Sequence, residues 1–399
     1  MPTRRLPRPT RRLTVLGVLI VLVLTAGGGA IAWLQPEDPD GFYLPPTNLE
    51  DTAPGELLRA EPFTRGIPDG VRGWRVLYRS EDQHGGPVAV SGLVLEPMED
   101  AGPRPLVAIA HGSTGVAEAC APSLSARPLA SLPAVEEALE AGFVVAASDL
   151  PGLGTPGPHP YLLGEASAHA VLDSVRAARD IALVDPDRLA IWGFSQGGHA
   201  ALFAAELAPD YAPELPLDGV VAFAPATDLA AIIQGGEGSV FGTLLVVNAV
   251  AAWAEAYDEF EISDVLEEDS VATALDISGR CLDGLSLPAS TIQSVQLRSA
   301  LASLDDPQAQ AWSPVLAANS PSGPIPAPLL VFQGTADPFI APDITQAYVA
   351  ERCADGDDVE LRMVTGAEHF TLSWRTADEA VAWTQARFAG EPTTPSCPG

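Results

Sequence analysis

The sequence predicts an α/β fold, with a mostly parallel central sheet, helices on both faces and an inserted helical cap. Three observations carry that prediction. First, short and nearly unbroken apolar runs recur: "PLVAIA" (Pro105–Ala110), "GFVVAASD" (Gly142–Asp149), "RLAIWG" (Arg188–Gly193), "LDGVVAFAP" (Leu217–Pro225) and "PLLVFQG" (Pro328–Gly334). Strands buried on both faces of a parallel sheet lose the apolar–polar alternation and read in this continuous way. Second, helical segments fall between them. "EASAHAVLDSVRAARDIALV" (Glu165–Val184) places Ala168, Val171, Leu172, Val175, Ala178 and Ile181 at helical spacing, and alternating strands and helices mark an α/β sheet. Third, the alternation is interrupted once, between Ala226 and Ala327. There the pattern turns helical in "GTLLVVNAVAAWAEAY" (Gly242–Tyr257) and then acidic in "DEFEISDVLEED" (Asp258–Asp269). An insertion of that kind is expected to cap the carboxyl end of the sheet.

Taken in chain order, the first element is a targeting segment. Five arginines crowd the first twelve residues, and the uncharged run Leu13–Leu34 follows. Its strongly apolar part, Leu13–Leu24, has the length of a signal-peptide core, with small residues after it for cleavage. The whole run is also long enough to cross a bilayer, for which about 20 residues suffice, and the arginines would then lie inside. Residues 1–34 are therefore a signal peptide or an N-terminal membrane anchor. Residues 35–70, rich in Pro, Gly and acid, form a linker and docking segment. Residues 71–399 form one α/β domain, with the cap at about 226–327. Within it, "WRVLYRS" (Trp74–Ser80) and "VAVSGLVLEP" (Val88–Pro97) flank "EDQHGG" and read as a hairpin.

Charge and composition exclude several functions. The 399 residues carry 52 acids against 21 bases, a formal net charge of −31. Such a chain repels phosphate backbones, so no nucleic-acid partner is expected. All the bases are arginine; without lysine there is no P-loop, Schiff base or Ser-Lys dyad. The four cysteines, Cys120, Cys281, Cys353 and Cys397, lack ligand-like short spacing, which disfavours a metal site. In an exported chain an even count fits two disulfides, with three pairings open.

The chemistry concentrates on "GFSQG", Gly193–Gly197. A G-x-S-x-G occurs easily by chance in a glycine-rich chain, but this one sits between a buried strand and the alanine-rich "GHAALFAAELA". That strand–turn–helix frame is what a nucleophile elbow needs. The glycines leave room for neighbouring backbone, and the helix N-terminus points N–H groups at the place where negative charge develops. Ser195 is the candidate nucleophile.

Its base must be a histidine. Where the chain order is serine, acid, histidine, only His199 and His369 qualify. His199 is bound into the nucleophile's own helix, which leaves His369, in a loop after the strand "VELRMV" (Val359–Val364). For the orienting acid, Asp337 just past Leu329–Phe332 is preferred and Asp228 is the other candidate. Asp343 reads as a helix-start charge. Oxyanion donors are expected from the N–H of Gln196 and from Ser113 or Thr114 in "HGSTG" (His111–Gly115). His111 shapes that loop, and Asp149 organises another.

Together, "AHGSTGVAEACAPS", "SDLPGLGTPGPHPYLLGEA", "WGFSQGGHAALFAAELAP" and "FQGTADPFI" resemble the secretory lipase family of α/β-hydrolases, from roughly Gly41 onward. The resemblance implies Ser195, Asp337 and His369 as the triad, and disulfides Cys120–Cys281 and Cys353–Cys397. It also implies a lidded helical cap shielding an acyl tunnel, which suits Ala226–Ala327. The expectation is an exported, extracellular or cell-surface serine ester hydrolase of lipase or carboxylesterase type. It would act as a monomer on a small-molecule or lipid ester and need neither metal nor organic cofactor. An acyltransferase using the same triad, and a non-catalytic surface protein of the same fold, are the rival readings.

Overall fold

The computed structural model describes residues 36–397 apart from 100–101, 237–238, 258–259, 283–286 and 302–308. The targeting segment expected at residues 1–34 lies outside the described residues. Among the described residues, no helix is long and apolar enough to cross a membrane.

The described strands form one nine-stranded sheet. They are β1 (Leu57–Phe63), β2 (Val71–Glu81), β3 (Pro87–Pro97), β4 (Arg104–Ala110), β5 (Val144–Ser148), β6 (Val184–Phe194), β7 (Gly219–Phe223), β8 (Leu329–Gly334) and β9 (Val359–Val364). Their order is β1-β2-β3-β5-β4-β6-β7-β8-β9. Pairings from β1 through β3 to β5 are antiparallel, and those from β5 to β9 are parallel. The five apolar runs and "VELRMV" supply the parallel part, and the predicted hairpin is β2–β3. β1 was not anticipated; it falls in the stretch assigned as linker and docking segment, and it pairs along β2 at the sheet edge.

Burial on both faces explains why the parallel strands lack alternation. Leu106, Ala108, Ala110, Leu189, Ile191, Val220, Ala222, Leu329 and Val331 pack under the helices Gly164–Arg179 and Gln196–Tyr211. Their neighbours Val107, Ile109, Ala190, Trp192, Val221, Phe223, Leu330 and Phe332 face the helices Val135–Glu140 and Leu372–Phe388. Each strand therefore stabilises two cores at once. Between β7 and β8 the chain leaves the sheet for the helices Leu229–Gly236, Val240–Ala256, Val271–Ser278, Leu287–Leu297 and Ser313–Ala318.

Disulfides join Cys120 to Cys281 and Cys353 to Cys397. The first ties the loop after β4 to the inserted helices. The second ties the C-terminal tail to the helix Pro342–Asp355. In the chain-entropy account each crosslink is worth about 2–4 kcal/mol, so reductant is expected to lower the midpoint of urea unfolding; an unchanged midpoint would contradict that.

A buried acid gives the fold a pH dependence. Glu206, on the helix Gln196–Tyr211, is pushed up to about 7 by burial. The Gly323 N–H and the Arg352 charge only partly offset that effect, and the nearby Asp357 adds to it. A raised carboxyl binds its proton more tightly folded than unfolded. Its contribution is therefore full below the unfolded value of 4.5 and lost as pH rises through about 7. Glu206→Gln should shrink the fall in Tm between about pH 5 and about pH 8, measured beside the unsubstituted protein. An identical fall in both proteins would contradict this assignment.

Candidate active site

Ser195 stands between β6 and the helix Gln196–Tyr211 with φ 54 and ψ −114. A positive φ is unfavourable for a residue with a Cβ, so packing must hold it there. The Ser195 N–H donates to Phe223 O at 2.9 Å, and its carbonyl accepts from His199 N at 3.0 Å. A Cβ on Gly193 would run into the Gly197 carbonyl, and one on Gly197 into the Ala110 carbonyl. Both glycines are required because three backbone segments meet at this turn.

The loops after β8 and β9 bring the partners. His369 Nε2 lies 3.0 Å from Ser195 Oγ, and His369 Nδ1 lies 2.7 Å from Asp337 Oδ2. The carboxylate is itself fixed: Asp337 Oδ1 accepts the N–H groups of Phe339 at 2.8 Å and Ile340 at 3.0 Å. Both Asp337 and His369 are buried. With Nδ1 facing an acceptor, the ring carries its hydrogen there and turns the Nε2 lone pair to the serine. Phe194, Phe339 and Phe370 surround the imidazole, with ring centroids 4.8, 5.0 and 5.3 Å away. Such an arrangement can draw a proton from a hydroxyl as that hydroxyl attacks an electrophile.

The other polar residues singled out from sequence take different places. Asp228 Oδ1 accepts from Ala231 N at 2.9 Å, at the start of a helix. Asp343 lies in the first turn of the helix Pro342–Asp355. His199 Nε2 bonds Asn319 O at 2.8 Å, and burial lowers His199 to about 4, so it stays neutral. His111 bridges two carbonyls, Gly112 O at 2.7 Å and Asp149 O at 3.0 Å. The Asp149 carboxylate accepts from Ser91 Oγ, Ser123 Oγ and Ser123 N at 2.6, 2.5 and 2.9 Å. As the first residue of its helix, Gln196 has a backbone N–H that no helical carbonyl accepts. Ser113 and Ser195 line two cavities, one shared with Gln196 and the other with Thr114.

Those two cavities meet at Ser195. One is a slot of ≈ 60 Å³ beneath the inserted helices, walled by Leu229, Ile232, Ile233, Leu245, Val246 and Trp253. The other is a cleft of ≈ 440 Å³ reaching past His369 to Phe370 and Trp374 at its rim. No group of side chains suited to a metal ion occurs among the described residues. The aromatic wall around His369 was not anticipated, nor was Tyr161, whose hydroxyl bonds Ser113 Oγ at 2.7 Å. No motif marks them, because residues distant in the chain assemble these contacts.

A mixed, mostly parallel sheet with a serine on its central strand–helix turn defines an α/β-hydrolase fold. Two solved structures share it: Candida antarctica lipase A in its closed state (TM-score 0.76, 21% identity, 90% of this chain and 88% of that one), and the rice cell wall degrading esterase LipA from Xanthomonas oryzae (TM-score 0.65, 20% identity, 84% of this chain and 98% of that one). The chain belongs to the secretory lipase family, whose model matches residues 129–396. Among its relatives, lipase 5 of Candida albicans is 29% identical over 293 residues, 68% of this chain but only 62% of that protein. A Mycobacterium tuberculosis protein named a probable inactive lipase is 29% identical over 394 residues, 90% of this chain and 84% of that one.

His369 contacts Ser195 and Asp337 through its two ring nitrogens, which sets up a test of whether that pair governs the reactivity of Ser195. Asp337→Asn should favour the wrong imidazole tautomer and slow covalent labelling of Ser195 by a fluorophosphonate probe by roughly 10³–10⁴-fold. Labelling at the unsubstituted rate would show that the pair is not what activates the serine.

Proposed function

We propose that this protein is an exported serine ester hydrolase, of lipase or carboxylesterase type, with Ser195, His369 and Asp337 as its triad. The observation that carries the proposal is the pair of contacts from His369, 3.0 Å to Ser195 Oγ and 2.7 Å to Asp337 Oδ2, at a turn held in a strained conformation. In this reading Ser195 Oγ attacks the ester carbonyl while His369 Nε2 takes its proton. Asp337 holds the ring and stabilises the imidazolium. The N–H of Gln196, with Ser113 or Thr114 as second donor, stabilises the oxyanion. His369 then protonates the leaving alcohol, and water activated by the same ring releases the acid from the acyl-enzyme.

The two cavities support the substrate class. An apolar slot on one side of the serine suits an acyl chain, and the wider cleft suits the alcohol. Family membership and two disulfides support export, because such crosslinks persist in oxidising compartments. A second reading, a non-catalytic member of the family, is prompted by the relative named a probable inactive lipase. Against it stands the fact that hydroxyl, imidazole and carboxylate are all present and in contact here.

Hydrolysis of a p-nitrophenyl ester series from short to long acyl chains tests the proposal. Ser195→Ala should lower kcat by about 10⁴–10⁶-fold on whichever ester is best. Undiminished turnover in that variant, or none in the folded unsubstituted protein, would overturn it. The chain length at the activity maximum separates esterase from lipase.

A further inference from the structure

The segment from Asp149 to Leu162 is more constrained than its position outside the helices and long strands would require. Leu150 and Leu162 both have positive φ, 70 and 57, although neither is glycine. Backbone held in that region is unfavourable and persists only where surrounding contacts over-determine it. Here the contacts are identifiable. Asp149 anchors one end through Ser91, Ser123 and His111. His159 Nδ1 lies 2.7 Å from Pro151 O, and its Nε2 lies 3.0 Å from Gln196 Nε2. Burial drives His159 down to about 3, so the ring is neutral. Its hydrogen is then on Nδ1, facing Pro151 O, and its lone pair receives the Gln196 amide.

Tyr161 stands at the other end of the segment. It is 1% exposed, its N–H donates to His159 O at 2.8 Å, and its carbonyl accepts Trp253 Nε1 at 2.7 Å. Backbone and ring are thus held from the segment and from the inserted helices at once. Among the described residues its hydroxyl bonds Ser113 Oγ, at 2.7 Å. Tyr161, Ser113, Ser195 and Gln196 all line one cavity. A phenol is the stronger acid of the two hydroxyls and hence the better donor. Burial raises Tyr161 to about 12, so the phenol keeps its hydrogen throughout the range where an imidazole base works. When Tyr161 donates, one lone pair of Ser113 Oγ is fixed and the serine's own hydrogen turns to the cavity. Such a chain polarises its terminal donor.

We propose that Tyr161 is a positioning residue for ester hydrolysis: its hydroxyl donates to Ser113 Oγ and so aims the Ser113 O–H at the oxyanion formed when Ser195 attacks. No bond to Tyr161 forms or breaks and no proton leaves it. It acts only through Ser113, and more strongly in the transition state than in the ground state, because charge on the carbonyl oxygen appears only then. The inference rests on the assignment of Ser195 as the nucleophile.

A double-mutant cycle tests it. Tyr161→Phe keeps the ring and the backbone bond to Trp253, and is expected to lower kcat about tenfold while leaving KM within about twofold. A boronic acid that mimics the tetrahedral adduct should bind about tenfold more weakly to the same variant. In a Ser113→Ala background, Tyr161→Phe should change kcat by less than about twofold. The same loss in both backgrounds, or no loss in the unsubstituted one, would overturn the proposal. Should Tyr161→Phe not fold, Ser113→Ala decides alone: it must lower kcat about tenfold or more with KM retained, and an unchanged kcat overturns the proposal. Activity surviving in Ser195→Ala, run alongside, would instead remove the ester-hydrolase reading beneath it.

Discussion

Everything at the site depends on a turn with no spare volume. At Ser195 the chain must reverse from a buried strand into a buried helix within a single residue, and it does so with φ 54. The backbones of Ala110, Gly193 and Gly197 meet there so closely that a side chain on either glycine would collide with a carbonyl. A flexible turn would leave the hydroxyl mobile. This one fixes it at the carboxyl edge of the sheet, beside a helix N-terminus whose N–H groups have no internal acceptors. The strain is offset by the packing of β6, β7 and the helix around it.

From that turn the sheet distributes the other groups. β8 runs parallel beside β7 and β9 parallel beside β8, so the loops that follow them emerge on the same edge as Ser195. Asp337 comes from one loop and His369 from the other, 32 residues apart in the chain but 2.7 Å apart in space. Aromatic rings pack around the buried imidazole, and low-dielectric surroundings of that kind strengthen polar contacts. The Asp149–Leu162 segment is joined by hydrogen bonds to Ser113 of the post-β4 loop, to Gln196 and to Trp253 of the inserted helices. The two halves of the site therefore have different supports, a sheet edge for Asp337 and His369 and a strained loop for the proposed oxyanion groups.

Much of this was legible in the sequence, for physical reasons. Strands β4 to β8 declared themselves because burial on both faces gives each a short, nearly continuous apolar run. Ser195 was legible because strand, glycine-flanked turn and helix are all local features. His369 followed by elimination, since six histidines leave few choices. β1 was not legible: Leu57–Phe63 is half-exposed, without clean alternation, and only its partner β2 makes it a strand. Tyr161 and His159 were missed because their meaning lies in contacts with Ser113 and Gln196, which sequence distance hides. The disulfide pairing came from family resemblance alone, since four cysteines permit three arrangements.

In the proposed reaction, residue 195 carries the acyl group from the ester to water. Mass spectrometry of the protein, quenched in acid during turnover of p-nitrophenyl butyrate and digested, tests it directly. A butyryl increment is expected on the peptide that contains Ser195, and it should disappear once substrate is exhausted. A butyryl group on any other residue of a catalytically active preparation, with the Ser195 peptide unmodified throughout, would contradict it.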